Sequence, residues 1–410
     1  MKKIVGIIAA AALAASAFAE VNIGTWNRAV FVPFAYDGDT LRSLEGPSWD
    51  VGSTGGVRTG LSFSASSENA GMVFDIHGNP GAGIAMGDNA YTWVKPVDML
   101  TVKFGKMDNN WGRLDHCFGI WDYMRVNGGD GVTNLTRGEG LAGVGRQKGL
   151  GAEVTLQPVE GLVIDYEANF KGPTYTYKNS IDPEKGVEKE VKSTNNHTYE
   201  VMWENSSTMI GYKADFGFIR AIINGQPAAK YDATDSDTKP AALIGVAADI
   251  TAIENLTLKV GASIPTVLKA ASSAIRAAVA ADYAIDALTI HGQVGLDVLP
   301  NKKKADNNYE LGNMGLNIGA GVDYAFSDAW KLVTDVRFQT WSKTTTENDG
   351  ADTKIKLEDP AFNVYLGLQQ SLTNASFAFG AQVSKHGMPT ATGKADEVTF
   401  AVPLTMTVSF

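Results

Sequence analysis

The residues able to do chemistry are few and scattered. The histidines, His77, His116, His197, His291 and His386, stand far apart, and the single cysteine, Cys117, adjoins His116. No further histidine or cysteine falls at metal-ligand spacing, so His116 and Cys117 do not read as a metal site. One cysteine also excludes an intramolecular disulfide framework. His291 lies near Asp282 and Asp297 in the sequence, but no motif turns those residues into an acid–base pair. The run Gly143-Val144-Gly145-Arg146-Gln147-Lys148 is glycine-rich and basic, yet it lacks the Gly-Lys-Ser/Thr ending of a phosphate loop. The expectation is no enzyme, no cofactor and no metal.

The chain has 410 residues, 44% of them hydrophobic and 20% charged, with a net charge of −10. That acidity argues against nucleic acid as a partner, because phosphate binding needs a basic footprint. Glycine is high, 44 residues, about 11% against a usual ~7%. The first residues read as an export signal spanning 1–19. Lys2 and Lys3 supply positive charge, Ile4 to Ala15 a short apolar stretch, and Ala17-Phe18-Ala19 a small–x–small cleavage site. Removing both lysines takes the net charge from −10 to −12. No later stretch approaches the ~18 apolar residues of a spanning helix. Any membrane insertion must use strands.

Strands are what the pattern offers. Successive side chains of a strand point to opposite faces, so a strand between lipid and water alternates apolar with polar or small residues. Val398, Phe400, Val402, Leu404, Met406, Val408 and Phe410 share one face, while Thr399, Ala401, Pro403, Thr405, Thr407 and Ser409 share the other. Met314 to Phe326, Leu162 to Phe170 and Asn374 to Val383 repeat the scheme. Ala270–Ala281 is ambiguous, and Arg276 and Asp282 opposite Ile275, Ala277, Val279 and Ala281 favour a strand there too.

Eight short turns interrupt these runs. They centre on Glu68-Asn69, Pro96-Val97-Asp98, Pro158-Val159-Glu160, Asp215-Phe216-Gly217, Ile253-Glu254-Asn255, Ile285-Asp286, Ser327-Asp328 and Thr373-Asn374. Asp and Asn suit such sites because they tolerate left-handed backbone. Between the hairpins lie longer polar segments, Asp108 to Arg146, Lys171 to Asn205, Gln226 to Pro240, Asn301 to Asn313 and Lys343 to Pro360. Eight hairpins plus a first strand near Val21–Phe34 and a last at Val398–Phe410 give eighteen strands, with sixteen as the alternative if the poorly alternating first strand is outside the wall. The predicted fold is all-β, one transmembrane antiparallel barrel over residues 20–410 with short periplasmic turns and long extracellular loops. Pro403, lacking an N–H, predicts a bulge or break in the last strand.

Charges sort by face. Arg58, Lys103, Glu153, Asp165, Glu167, Arg220, Lys259, Arg276, Asp282, Asp297, Asp323, Asp335 and Arg337 all fall on the polar side, as do Asp75 and Lys331. An arginine or lysine at mid-membrane on the lipid face costs about 2–4 kcal/mol, so such sorting is what lipid selects. Aromatics collect near strand ends as interfacial girdles do: Phe216, Phe218, Tyr283, Phe326, Trp330 and Phe410 on the turn side, Phe34, Tyr36, Phe170 and Trp341 toward the loops.

With its export signal, hairpin pattern and terminal strand ending in phenylalanine, the chain resembles the bacterial outer-membrane porin-like family, including porin-like proteins of spirochaetes such as treponemes. The resemblance implies a cell outer-membrane location, passage of small hydrophilic solutes and ions, and Phe410 as part of the signal read by the barrel-assembly machinery. It also implies a homotrimer as a common assembly. In that family the long third loop enters the lumen. Here that loop, about 108–146, carries Arg113, Asp115, Asp122 and Arg125 as candidate constriction charges. The listed wall charges would face the lumen in near balance, predicting at most a mild cation preference. The alternative from another class is a surface-exposed structural or adhesin barrel, binding host or envelope partners through Lys171–Asn205 and Lys343–Pro360.

Overall fold

The structure is a computed structural model that describes residues 20–36, 38–45, 57–79, 83–108, 111, 148–169, 174–182, 186–194, 203–204, 206–230, 238–268, 273–306, 308–386 and 397–410. In chain order the strands begin with β1 (Glu20–Tyr36), β2 (Leu41–Glu45), β3 (Val57–Ser66), β4 (Ala70–Asn79), β5 (Gly83–Val97) and β6 (Leu100–Asp108). There follow β7 (Lys148–Leu156), β8 (Leu162–Asn169), β9 (Thr174–Asp182), β10 (Gly186–Thr194), β11 (Ser206–Ala214) and β12 (Gly217–Lys230). Next come β13 (Thr238–Ile250), β14 (Leu256–Pro265), β15 (Ile275–Ile285), β16 (Leu288–Lys303), β17 (Tyr309–Ala325) and β18 (Trp330–Gln339). The chain ends with β19 (Lys343–Asp349), β20 (Asp352–Glu358), β21 (Ala361–Leu372), β22 (Ala375–Lys385) and β23 (Val398–Ser409).

Eighteen of these strands make one closed antiparallel ring. Neighbours in sequence pair throughout, except that β1 pairs with β3 past β2, β8 with β11 past the β9–β10 hairpin and β18 with β21 past β19–β20. Closure is made by β1, which pairs with β3 from Glu20↔Ser66 to Ala29↔Val57 and with β23 from Trp26↔Ser409 to Tyr36↔Phe400. The first strand is therefore in the wall, and the sixteen-strand alternative is excluded. All eight turns fall where the polar breaks in the alternation predict them. Asn255, Asp286 and Asn374 adopt positive φ of 61°, 49° and 61°, the left-handed backbone that amide and acidic side chains tolerate.

The weak alternation of β1 has a physical cause. While β23 moves two residues, from Leu404 to Val402, β1 moves three, from Phe31 to Phe34. This bulge lies at Pro33 and Pro403, neither of which can donate to a ladder. It resets the faces: Val30 and Val32 point inward before it and Ala35 after it, all buried, while Phe31, Phe34 and Tyr36 point outward and are exposed. Apolar residues on both faces hide the period of two.

Elsewhere the faces separate cleanly. Ile290, Val294, Ile318, Val336, Leu366 and Met406 are exposed on the outside, and their neighbours His291, Gln293, Asn317, Asp335 and Arg337 are buried on the inside. Two aromatics assigned to the girdles by sequence lie on the inner side instead. Phe218 stands beneath Arg220, ring centroid 5.0 Å from the guanidinium carbon, on the inward face of β12. Trp341 is fully buried with Ala274, Leu299 and Leu357. It lies flat over Gly315, where a Cβ would come within 1.9 Å of its ring, so only glycine admits it. Phe216, Tyr283, Phe326, Phe410, Phe34 and Tyr36 are exposed, and Phe170 lies outside the described residues.

Several polar segments are more ordered than expected. The described residues of Gln226 to Pro240 and of Asn301 to Asn313 are largely strand, because β12 runs to Lys230, β13 starts at Thr238, β16 runs to Lys303 and β17 starts at Tyr309. Lys343 to Pro360 holds the β19–β20 hairpin, which leans over the rim so that β20 pairs with β16 at Lys302↔Lys354 and Lys303↔Thr353. Trp341 at its base pulls it inward, and Asn313 Nδ2 donates to the carbonyls of Pro300 (2.7 Å) and Ile355 (2.9 Å).

Val294 sits mid-wall between Val279 and Ile318 on the outer face. Val294→Arg is expected to cost about 2–4 kcal/mol when unfolding is measured from lipid vesicles. A cost near zero would show that this face meets water.

Candidate inner-wall site

The fifteen charges that alternation assigned to the polar side all stand on the inner wall, and most find partners on the neighbouring strand. Across β6 and β7, Lys103 Nζ lies 2.5 Å from Glu153 Oε1. Glu153 is in turn the Cα partner of Glu167 on β8, with Asp165 one inward step away. Like charges placed directly opposite repel, and Lys103 offsets part of that. Arg58 Nη2 approaches His77 Nδ1 at 2.8 Å, and Arg58 and Arg28 both lie over the Trp26 ring, 5.5 and 5.3 Å from its centroid. Lys259 is the Cα partner of Asp249.

A denser network covers β15 to β18. Arg276 Nε lies 3.6 Å from Asp297 Oδ1, and Asn317 Nδ2 donates to Asp297 Oδ2 at 3.2 Å. His291 bridges two strands, with Nδ1 2.7 Å from Asp282 and Nε2 3.8 Å from Asp323. Lys331 Nζ reaches Asp323 at 2.6 Å. Arg337 grips Asp335 through two nitrogens, at 3.1 and 3.3 Å, and both residues are 0% exposed. Such charge-assisted, two-point contacts are the geometry in which a buried pair is tolerated. The arrangement neutralises charge locally on the wall and holds the long side chains against it.

Arg220 differs from the rest. It bonds Asp249 on β13 through Nη1 (2.6 Å) and Nη2 (3.4 Å), and its Nε donates to the carbonyl of Trp111. Trp111 follows β6 by three residues, yet β12 is four ladders away round the ring. Its side chain packs on an apolar rung of the inner wall made by Val163, Met209, Ile222, Ala247 and Ala278. The other third-loop candidates, Arg113, Asp115, Asp122 and Arg125, lie outside the described residues, as do His116 and Cys117. Phe410 is exposed, and its backbone exchanges two hydrogen bonds with Thr25 of β1, at 2.8 and 2.9 Å, sealing the end of the barrel.

Tracking charges alone missed the uncharged half of this wall. Gln293, Asn317, Gln339, Asn363 and Gln382 stand one per strand on β16, β17, β18, β21 and β22, all buried. Gln382 Nε2 donates to Asn363 Oδ1 at 3.0 Å. The same alternation marks Gln293, Asn317 and Gln339, which share a strand face with Asp297, Asp323 and Asp335, whereas β21 and β22 carry no charge assigned inward that would have drawn attention to Asn363 and Gln382. At the rim, outside the wall, the Asp352 carboxyl is held below the ordinary carboxylate range by Lys302, 2.7 Å away, and by the Ala305 N–H at 3.0 Å.

No protein-family model matches this chain, and no curated protein sequence does. Solved structures do. The outer-membrane protein OpdK of Pseudomonas aeruginosa aligns over 95% of this chain and 98% of its own, with a TM-score of 0.50 and 9% identity. The shared fold is a closed antiparallel β-barrel. OpdL of the same organism covers 95% and 99% with a TM-score of 0.49 and 9% identity, and the anion-selective porin of Comamonas acidovorans covers 96% and 100% with a TM-score of 0.44 and 10% identity. At such identity the likeness concerns fold, and wall chemistry must be taken from this chain's own residues.

The Arg337–Asp335 pair allows a direct test of wall energetics. Arg337→Met strands a buried carboxylate and is expected to lower unfolding free energy by about 3–5 kcal/mol, while the double variant Arg337→Met/Asp335→Asn loses less. Urea unfolding in detergent checks this. A double variant as unstable as the sum of both single ones would mean that the two residues do not act as a pair.

Proposed function

We propose that this protein is a porin of the cell outer membrane, giving small hydrophilic solutes and ions a diffusive path. The observation that carries the reading is the closed ring of eighteen strands, apolar outside and charge-lined inside. A barrel of this size is too wide for wall side chains alone to fill, which leaves room for water along its axis. Hydrocarbon accepts strands only when every backbone group pairs, and this ring has no open edge. Residues 1–19 act in this reading as the export signal. Phe410, at the seam with β1, serves as the mark for the barrel-assembly machinery. The family placement is with bacterial porin-like barrels, spirochaete members included, and a homotrimer is the corresponding assembly.

Selectivity follows from the wall. Glu153, Asp165, Glu167, Asp282, Asp297, Asp323 and Asp335 face Arg58, Lys103, Arg220, Lys259, Arg276, Lys331 and Arg337, so opposite charges nearly cancel. Purified protein refolded into a planar bilayer should show stepwise currents with a reversal potential near zero or slightly favouring cations. Absence of conductance from a demonstrably folded barrel would overturn the pore, and strong anion preference would overturn the charge balance.

A surface-binding role has one observation in its favour. The β9–β10 hairpin forms a two-stranded sheet of its own, outside the barrel ladders. Deleting residues 174–194 would remove binding to a host or envelope partner while leaving conductance intact if that role exists.

A further inference from the structure

We infer that Arg28 and Arg58, with Trp26 and His77, form a binding station on the inner wall for the phosphate group of a small solute in transit. This inference rests on the porin reading and names a solute class within it. Its basis is a register. Arg28 on β1 is the Cα partner of Arg58 on β3, so both side chains leave adjacent strands on the same face. Like charges placed directly opposite repel, and side chains at such positions start only about 5 Å apart. Both guanidiniums lie over one indole, 5.3 and 5.5 Å from the centroid of the Trp26 ring. The electron-rich ring offsets part of the repulsion and keeps the two forks together. Arg28 escapes the sequence pattern because apolar residues on both faces of β1 hide its parity.

The neighbouring rung completes the donor set. Trp26, Gly60 and His77 are successive partners across β1, β3 and β4. A Cβ on Gly60 would come within 2.2 Å of the indole, so glycine is what lets the ring lie there. His77 meets that ring edge-on, with centroids 5.5 Å apart and planes at 68°. Arg58 Nη2 lies 2.8 Å from His77 Nδ1. A guanidinium only donates, so Nδ1 accepts and the ring hydrogen sits on Nε2, a further donor. The cluster therefore offers two guanidinium charges and an imidazole N–H. A phosphate monoester answers with nearly two negative charges and three strong acceptor oxygens, whereas a carboxylate leaves one guanidinium uncompensated. Asp75, two residues before His77 on β4, accepts from Asn89 of β5 at 3.3 Å, on the side of β4 away from the arginines. Access also sets this cluster apart. Trp26, Arg28, Arg58 and His77 are all partly exposed, while Arg337 is fully buried and Arg220 nearly so.

Two measurements test the station, with glycerol 3-phosphate as probe and glycerol and acetate as controls. Phosphorus-31 relaxation of the probe reads binding to refolded protein in an uncharged detergent, without any current. Planar-bilayer recording reads the drop in open-channel current when the probe joins potassium chloride. The station predicts faster phosphorus relaxation with the wild type, reversed by inorganic phosphate and not by equal acetate. It also predicts a larger current drop with glycerol 3-phosphate than with either control. Arg28→Gln and Arg58→Gln should each weaken both effects by about tenfold, the loss expected for one charge-assisted hydrogen bond. Each variant is first shown to be folded by its heat-modifiable mobility on gels. If the glutamine variants fail to fold, Arg28→Lys and Arg58→Lys, which keep the charge but not the fork, decide through a smaller loss of binding. Unaltered relaxation with the wild type, acetate competing as well as phosphate, or full binding by the folded arginine variants would overturn the station. Phosphorus relaxation from a barrel that passes no current would uphold the station and refute the porin reading. Steady currents indifferent to the probe, with unaltered relaxation, would do the reverse.

Discussion

Everything in this molecule depends on the ladder between its first and last strands. A bilayer core has no water to satisfy an unpaired N–H or C=O, so a sheet can stand there only as a ring. The β1–β23 ladder closes it, although both strands carry a proline. The bulge at Pro33 and Pro403 reconciles these demands, absorbing two missing donors at one place and returning the chain to register. Thr25 and Phe410 then exchange backbone bonds at the far end, so closure extends to the terminal residue.

Once the ring is closed, the inside must be made compatible with charge. Pairing between adjacent strands does this at short range: Lys103 with Glu153, Arg276 with Asp297, His291 between Asp282 and Asp323, Arg337 with Asp335. All but the last lie across one ladder, where side chains on the same face come within reach; Arg337 and Asp335 are two residues apart on β18 itself. The wall is thereby charged in composition and nearly neutral in field. Apolar clusters interrupt it at Val163, Met209 and Ile222, at Val30, Val32, Val333 and Tyr365, and at Ala274, Leu299 and Trp341.

Much of this was legible in the sequence because lipid imposes a period of two and turns have few permitted residues. The eight hairpins, the placement of Asp323 or Arg276 inward, and a disturbance at Pro403 all follow from neighbours within one strand. What escaped depends on residues far apart. Trp341 has the composition and position of a girdle aromatic. Its burial comes from Gly315 and Leu299, which leave a berth on the inner wall that no local pattern announces. Phe218 turns inward for the same kind of reason, since Arg220 and Asp249 sit above it. The rim hairpin β19–β20 reads as a solvated loop because its ion-pairing partner, Lys302, lies on a different strand. In β1 the inner residues Trp26, Val30 and Val32 are apolar, so the two faces look alike until the bulge is seen.

The most direct measurement is a spin-label scan along β17, from Met314 to Tyr324, in vesicles, with Cys117→Ser removing the native thiol. Collisions with a lipid-soluble relaxant should rise at Met314, Leu316, Ile318, Ala320 and Val322 and fall at every residue between. A scan with no period of two, or outward positions shielded from lipid as though packed in a protein core, would contradict the barrel's orientation and with it the channel.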